Sequence, residues 1–256
     1  MDWGEAIVLL AAAFVAGAIN AVAGGGSLIS FPALLAAGYP SKTANVTNTV
    51  GLWPGYVGGS LGYRNEIGTQ RRRLIPILAP SIAGAIVGSV ILLSTPESAF
   101  DVLVPFLILF ACGLMAFQDP LAEFALTHRL RTGDGEPAMI PLFVSTFLLA
   151  VYGAYFGAAL GILTLSVFAI LLPDDIQSSN ALKGMQSLLI NAVAVLWFAL
   201  FGPVEWGPAA VMAVGAVLGG YLGVGVARRL GRQWLKVAVI TYGIVVSAVL
   251  FAQLLT

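Results

Sequence analysis

The sequence predicts an all-α polytopic membrane protein of two inverted repeats, each a broken or re-entrant helix pair followed by three spanning helices. Three observations carry the prediction: an apolar, charge-poor composition, two over-long apolar stretches interrupted by glycine, and a one-sided placement of the few cations. Of the 256 residues, 59% are hydrophobic and 9% charged, and mean hydropathy is +0.96. A soluble domain needs about 25% charged residues to cover its surface, so a soluble globular fold is excluded. Twelve basic and twelve acidic residues cancel, which leaves no basic field for nucleic acid. The single cysteine, Cys112, excludes an internal disulfide and a cysteine-based metal site. Asp2 and Glu5 stand where a signal peptide needs positive charge, so the first apolar stretch is expected to remain in the mature protein.

A spanning helix takes about 20 mostly apolar residues. The stretch 6–37 is too long for one span and is interrupted by Gly24-Gly25-Gly26 and then Pro32. Consecutive glycines weaken a helix by about 1 kcal/mol each relative to alanine, so a break is expected there, leaving a near-spanning helix and a short one. Spans follow at 43–63, 74–94 and 100–117. The stretch 138–172 is again over-long, with Gly153, Gly157 and Gly161 as a softer interruption, and spans at 177–201, 206–227 and 234–254 complete the chain. The simpler count is about eight membrane segments. The expected organisation is a single transmembrane domain, 1–256, with a first repeat at about 1–125, a cytoplasmic linker at about 118–136 and a second repeat at about 137–256.

The repeat itself is visible in the residues. AGAINAVAGGGSLIS (16–30) matches YGAYFGAALGILTLS (152–166) at a shift of 136, and AGAIVGS (83–89) matches VGAVLGG (214–220). If each broken stretch crossed once, the basic segments Arg64/Arg71–Arg73 and Arg228/Arg229/Arg232 would fall on opposite sides. If each enters and returns, ten of the twelve cations, including Arg129, Arg131 and Lys236, become cytoplasmic. Asp2, Glu5, Glu97, Asp101 and Glu205 then face the other side, as do both termini. Lys and Arg bias in short loops decides orientation, and three crossings per half invert one half relative to the other, a recurring design of secondary transporters.

The twelve acids lie in loops or near span ends, and His128 sits beside Arg129 in the linker. Proton and sodium carriers usually bury carboxylates, so a cation-coupled site is not indicated. The exceptional charges are Lys42 and Lys183. Lys42 reads as an interfacial lysine, snorkelling from a helix start. Lys183 lies at least one turn inside a helix, on a polar face with Asn180, Ser187 and Asn191 and with Gln186 beside it. Thr47, Asn45 and Asn48 form a comparable stripe in the first half, and Thr47 falls opposite Lys183 under the shift. Helix starts before Ser27 and after Gly157 offer backbone N–H groups and partial positive charge to an anion, and glycine lets it approach closely. These features describe a substrate site for a small anion. Its candidate residues are Asn20, Gly24, Gly25, Gly26, Ser27, Thr47, Asn48, Gly157, Gly161, Asn180, Lys183, Gln186 and Asn191. Gly84, Gly88, Gly215 and Gly219 read instead as helix-packing glycines. No catalytic or metal-binding set and no cofactor motif is present, since GGGSLIS lacks the lysine of a phosphate-binding loop.

The stretch AGAINAVAGGGSLISFPALLAAGYPSKTANVTNTVG resembles the first motif of the sulfite exporter TauE/SafE-like family of membrane permeases, with Gly24, Gly25, Gly26, Pro32, Ala44 and Thr47 in its places. GGSLGYRNE with the following RRRL resembles its basic loop. The second half resembles its second motif at Asn180, Ala181, Lys183 and Asn191. The resemblance implies a permease exporting sulfite, sulfonates or related small sulfur-containing anions, in a cell membrane. The partners expected are a small anionic substrate and the lipid bilayer, with a homodimer left open. An anion channel and a non-transporting membrane scaffold remain the alternatives.

Overall fold

The computed structural model describes residues 1–22, 24–61, 71–127, 139–172, 176–230 and 232–254. Regular structure among them is helical: α1 Trp3–Val22, α2 Ser27–Ala36, α3 Ser41–Leu61, α4 Arg71–Ser94, α5 Glu97–Ala116, α6 Gln118–Thr127, α7 Met139–Tyr155, α8 Leu160–Leu171, α9 Ile176–Phe201, α10 Trp206–Leu230 and α11 Arg232–Leu254. Five stretches are long and apolar enough to cross a membrane: Trp3–Ala21, Ile75–Ser94, Glu97–Ala116, Ala181–Phe201 and Gln233–Leu254. α2, α7, α8 and Trp206–Leu222 are apolar but shorter. α3 was expected to span and has the length, yet it is not among the five, because Lys42, Asn45, Thr47, Asn48 and Thr49 make it less apolar than the others. Exposed apolar side chains such as Ile7, Phe106, Leu148, Leu196 and Val245 coat the outside of the bundle with a surface suited to lipid rather than water. Arg64, Arg129, Arg131 and His128 lie outside the described residues, as do the side chains of the other arginines.

Both over-long stretches break, and by one device. The Gly24 N–H donates to the Ile19 carbonyl, and the Gly157 N–H to the Tyr152 carbonyl, each five residues back. Both glycines are left-handed, at φ +74° and +73°, a conformation glycine adopts without steric cost. After the first break the chain doubles back, so that the Tyr39 hydroxyl, beyond the end of α2, donates to Glu5 near the start of α1. After the second, Leu171 and Leu172 at the end of α8 join an apolar cluster with Leu142 near the start of α7.

Glycines set the helix contacts. Gly215 and Gly219 on α10 lie against Leu10, Ala13 and Phe14 of α1; Gly84 and Gly88 on α4 lie against Phe147, Ala150 and Val151 of α7. Leu10 and Phe147, Ala13 and Ala150, and Phe14 and Val151 are each 137 positions apart. The same interface is therefore built twice, once from each half. At the breaks, however, the equivalent pairs Ile19/Tyr152 and Gly24/Gly157 are 133 apart. The two registers differ by four residues, about one helical turn, and α7 is correspondingly shorter, 17 residues against 20 in α1. The single shift of 136 seen in the sequence averages two registers, and it hid the match of Gly24 with Gly157.

The contacts also fix relative directions. Gly51 meets Ala209 and Met212, and Gly55 meets Ala216, so α3 and α10 run parallel. By the same reading α1 is parallel to α10, and α4 to α7. Gln186 on α9 reaches Ser81 on α4 while Leu182 shares a cluster with Ile77, which makes α4 and α9 parallel as well.

Candidate functional site

The two breaks meet inside the bundle. A Cβ placed on Gly24 would stand 3.3 Å from the Cα of Gly161, in the first turn of α8. A Cβ on Gly161 would stand 3.5 Å from the Cα of Gly24 and 3.6 Å from Cδ of Lys183. The aliphatic stem of Lys183 thus lies along the place where the two hairpins touch. Gly25 faces Met115 of α5, whose Cε would be 2.7 Å from a Cβ there. Phe31 and Phe156 stack edge to face beside the breaks, with ring centroids 5.6 Å apart. Gly24, Gly161 and Lys183, three of the residues singled out from the sequence, are brought together.

At the first break the anion-binding expectation changes. Asn20 Oδ1 accepts the N–H groups of Gly25 and Gly26 at 3.1 and 2.8 Å, as an N-capping side chain does. Asn20 therefore occupies two donors that the sequence reading offered to a substrate, and its role is to hold the break. Ser27 opens α2 and is half-buried. Register places Gly153 where Asn20 stands, and the second break is held differently: the Tyr152 hydroxyl donates to the Ala158 carbonyl, and Ala159 takes a left-handed φ of 59°. Asn45 Nδ2 donates to the Tyr155 carbonyl at 2.9 Å, so α3 of the first half pins the break of the second.

The polar stripe of α3 does not join Lys183. The Glu205 N–H donates to Thr47 Oγ1 at 3.0 Å, and Glu205 lies beyond the C-terminal end of α9. Lys183 lies near the N-terminal end, and 18 residues separate it from Phe201, about 27 Å along one helix. Equivalent positions of two oppositely running helices fall at opposite ends, which is why an alignment across the halves places them together and the fold does not. Asn48 accepts a hydrogen bond from Ser30 at 2.6 Å, one helix away from the break. Asn191 Nδ2 donates to the Ser187 carbonyl within its own helix at 2.8 Å. The side chain of Asn180 lies outside the described residues.

Gln186 is buried at 1% exposure, and its Nε2 donates to Ser81 Oγ at 3.4 Å. Its Oε1 has no hydrogen-bond partner, and neither has Thr164 Oγ1. A buried acceptor left unpaired costs about 1–3 kcal/mol. Neither Ser81 nor Thr164 was signalled by the sequence, where each is one of a few hydroxyls in an apolar helix.

One end of the bundle holds Glu5, Glu97 and Glu205. The Lys42 N–H donates to Glu97 at 2.9 Å, and Lys42 Nζ to the Leu93 carbonyl at the end of α4, at 3.5 Å. Lys42 is thereby committed to a helix end. Tyr39 is pushed up to about 12 by burial, then by its hydrogen bond to Glu5 and the charges of Glu5 and Glu205. It remains a protonated donor through neutral pH.

Comparison with known proteins agrees with this architecture. The family model for the sulfite exporter TauE/SafE matches residues 9–250. A probable membrane transporter protein of Haemophilus influenzae is 29% identical over 94% of this chain and 92% of its own. The probable membrane transporter protein ORF9 of a Sinorhizobium species is 27% identical over 96% and 92%. The probable membrane transporter protein YfcA of Escherichia coli is 26% identical over 97% and 88%. No solved structure matches the chain. With the model match running almost end to end over a helical, multi-pass membrane bundle, the chain belongs to the sulfite exporter TauE/SafE family of membrane transporters.

Proposed function

We propose that this transporter exports a small, sulfur-containing oxyanion, of the sulfite or sulfonate kind, by alternating access around the point where the two breaks meet. The observation that carries the reading is the contact of Gly24 with Gly161 beside the Lys183 stem. Two chain reversals converge there on an ammonium-bearing side chain, and each acid among the described residues lies in a loop or near a helix end. Gly24, Gly161 and Lys183 form the centre of the proposed site, with Gln186 one turn along α9. Gly25, Gly26 and Gly157 shape its walls, and Asn20 positions the first two.

The proposed topology is an inverted repeat, with a first unit at about 1–125, a cytoplasmic linker at about 118–136 and a second unit at about 137–256. The helix directions support it. α1 and α3 both run parallel to α10, which fits a first pair that enters and returns and does not fit one that crosses. The short loop after Gly202 turns α10 against α9, and α9 runs with α4 and α7, so α1 and α7 point in opposite senses. Glu5, Glu97 and Glu205 then mark the non-cytoplasmic face and both termini lie outside, in a cell membrane.

An inside-negative potential drives an anion outward by about 2.3 kcal/mol per charge per 100 mV. Export therefore needs no coupling carboxylate. The test is sulfite flux from proteoliposomes: Lys183→Ala should reduce it at least tenfold while the protein keeps its wild-type elution and melting behaviour. Undiminished flux in that variant would remove Lys183 from the site.

A further inference from the structure

We infer that the transported anion carries a hydrogen-bond donor of its own, read by a buried polar layer of Ser81, Thr164 and Gln186; this rests on the oxyanion reading above. Ile77 on α4, Phe168 on α8 and Leu182 on α9 share one apolar cluster. One helical turn inward from each, on the same faces, stand Ser81, Thr164 and Gln186, exposed by 0%, 0% and 1%. Gln186 Nε2 donates to Ser81 Oγ, while Gln186 Oε1 and Thr164 Oγ1 have no partner.

Thr164 is unusual among the helix hydroxyls. Ser166 and Thr146 each donate to the carbonyl four residues back, whereas Thr164, like Ser89 on α4, has no partner. Nor does the architecture require polar groups at this level. At the spacing that relates Gly84 to Gly215, the counterpart of Ser81 is Met212, which packs on Gly51. The layer adjoins the charged part of the proposed site, because Gly161, beside the Lys183 stem, is three residues before Thr164 on α8.

The chemistry of the unpaired atoms selects the ligand. A carboxamide oxygen only accepts, and a threonine hydroxyl can donate. A monoanion that still holds one acidic O–H, such as hydrogen sulfite, offers that O–H to Gln186 Oε1. Its charged oxygens remain for the Thr164 hydroxyl and the Lys183 ammonium. An aprotic monoanion of similar size, such as methanesulfonate, leaves Gln186 Oε1 unpaired. No bond is made or broken in this step.

The experiment compares efflux of hydrogen sulfite and methanesulfonate from proteoliposomes at an acidic pH where both are monoanions. The wild type should prefer hydrogen sulfite by about tenfold, the scale set by one unpaired buried acceptor. Gln186→Met, which keeps length and shape without the acceptor, should bring the ratio to about one. Thr164→Val, with its melting temperature as the check on folding, serves should Gln186→Met fail to fold; it should lower efflux of both anions, and wild-type efflux in it overturns the inference. An equal rate for both anions in the wild type, or an unchanged ratio in Gln186→Met, overturns this inference alone. Absence of flux for both anions in the wild type overturns the export reading and this inference with it.

Discussion

At Gly161 the packing leaves room for a side chain, which makes the glycine informative. A Cβ there would make ordinary contacts, 3.5 Å to Gly24 and 3.6 Å to Lys183, and alanine is favoured over glycine in a helix by about 1 kcal/mol. Gly161→Ala should therefore melt at or above the wild-type temperature yet export sulfite several-fold more slowly, since the methyl group occupies the approach to Lys183. Full export by a stable Gly161→Ala would place the substrate elsewhere. Gly184 is the control, because a Cβ at that position meets nothing within 4 Å; its alanine variant should keep both stability and flux. The residues differ in how readable they were. Lys183 stood out as an ammonium inside an apolar helix, and the triple glycine announced its break. Asn20 was read as a ligand because an asparagine beside a break offers the same atoms to a substrate as to the chain, and only the distances to Gly25 and Gly26 separate the two. Ser81 and Thr164 were silent, since hydroxyls in apolar helices usually bond back to their own backbone.

Between elements, the glycine pairs on α4 and α10 do the work that a soluble protein gives to a mixed core. The helices touch backbone to backbone: a Cβ on Gly88 would come closer than 3.0 Å to the Val151 carbonyl, and one on Gly219 closer than 3.0 Å to that of Phe14. Neither obstacle is a flexible side-chain end, so the helices would have to move apart. Gly88→Ala and Gly219→Ala should each destabilise the protein by roughly 1–3 kcal/mol, read as a lower melting temperature in detergent. Similar losses are expected because the two interfaces are copies. These packing glycines were legible as a spacing of four within spans. The break of the second half was legible only in part. The missing turn of α7 puts Ala158 and Ala159 where the first half has Gly25 and Gly26, so an ungapped comparison cannot register the breaks and the interfaces together.

In the whole molecule, the first helix of each half packs on the fourth helix of the other, α1 on α10 and α7 on α4. A reporter fused after Thr256 should be active outside the cell and inactive in the cytoplasm; a cytoplasmic C-terminus would contradict the proposed orientation. The fold class followed from composition, because too few charges exist to cover a water-facing surface. The pairing of α1 with α10 and of α4 with α7 did not, since nothing in a stretch of apolar residues names its partner. The central claim is that an oxyanion crosses by binding and carrier exchange at the meeting of the breaks. Its most direct test is counterflow in proteoliposomes loaded with unlabelled sulfite and diluted into a trace of labelled sulfite. The account predicts transient accumulation of label above equilibrium, lost in Lys183→Ala. Label entry without accumulation, or no entry at all, would contradict it.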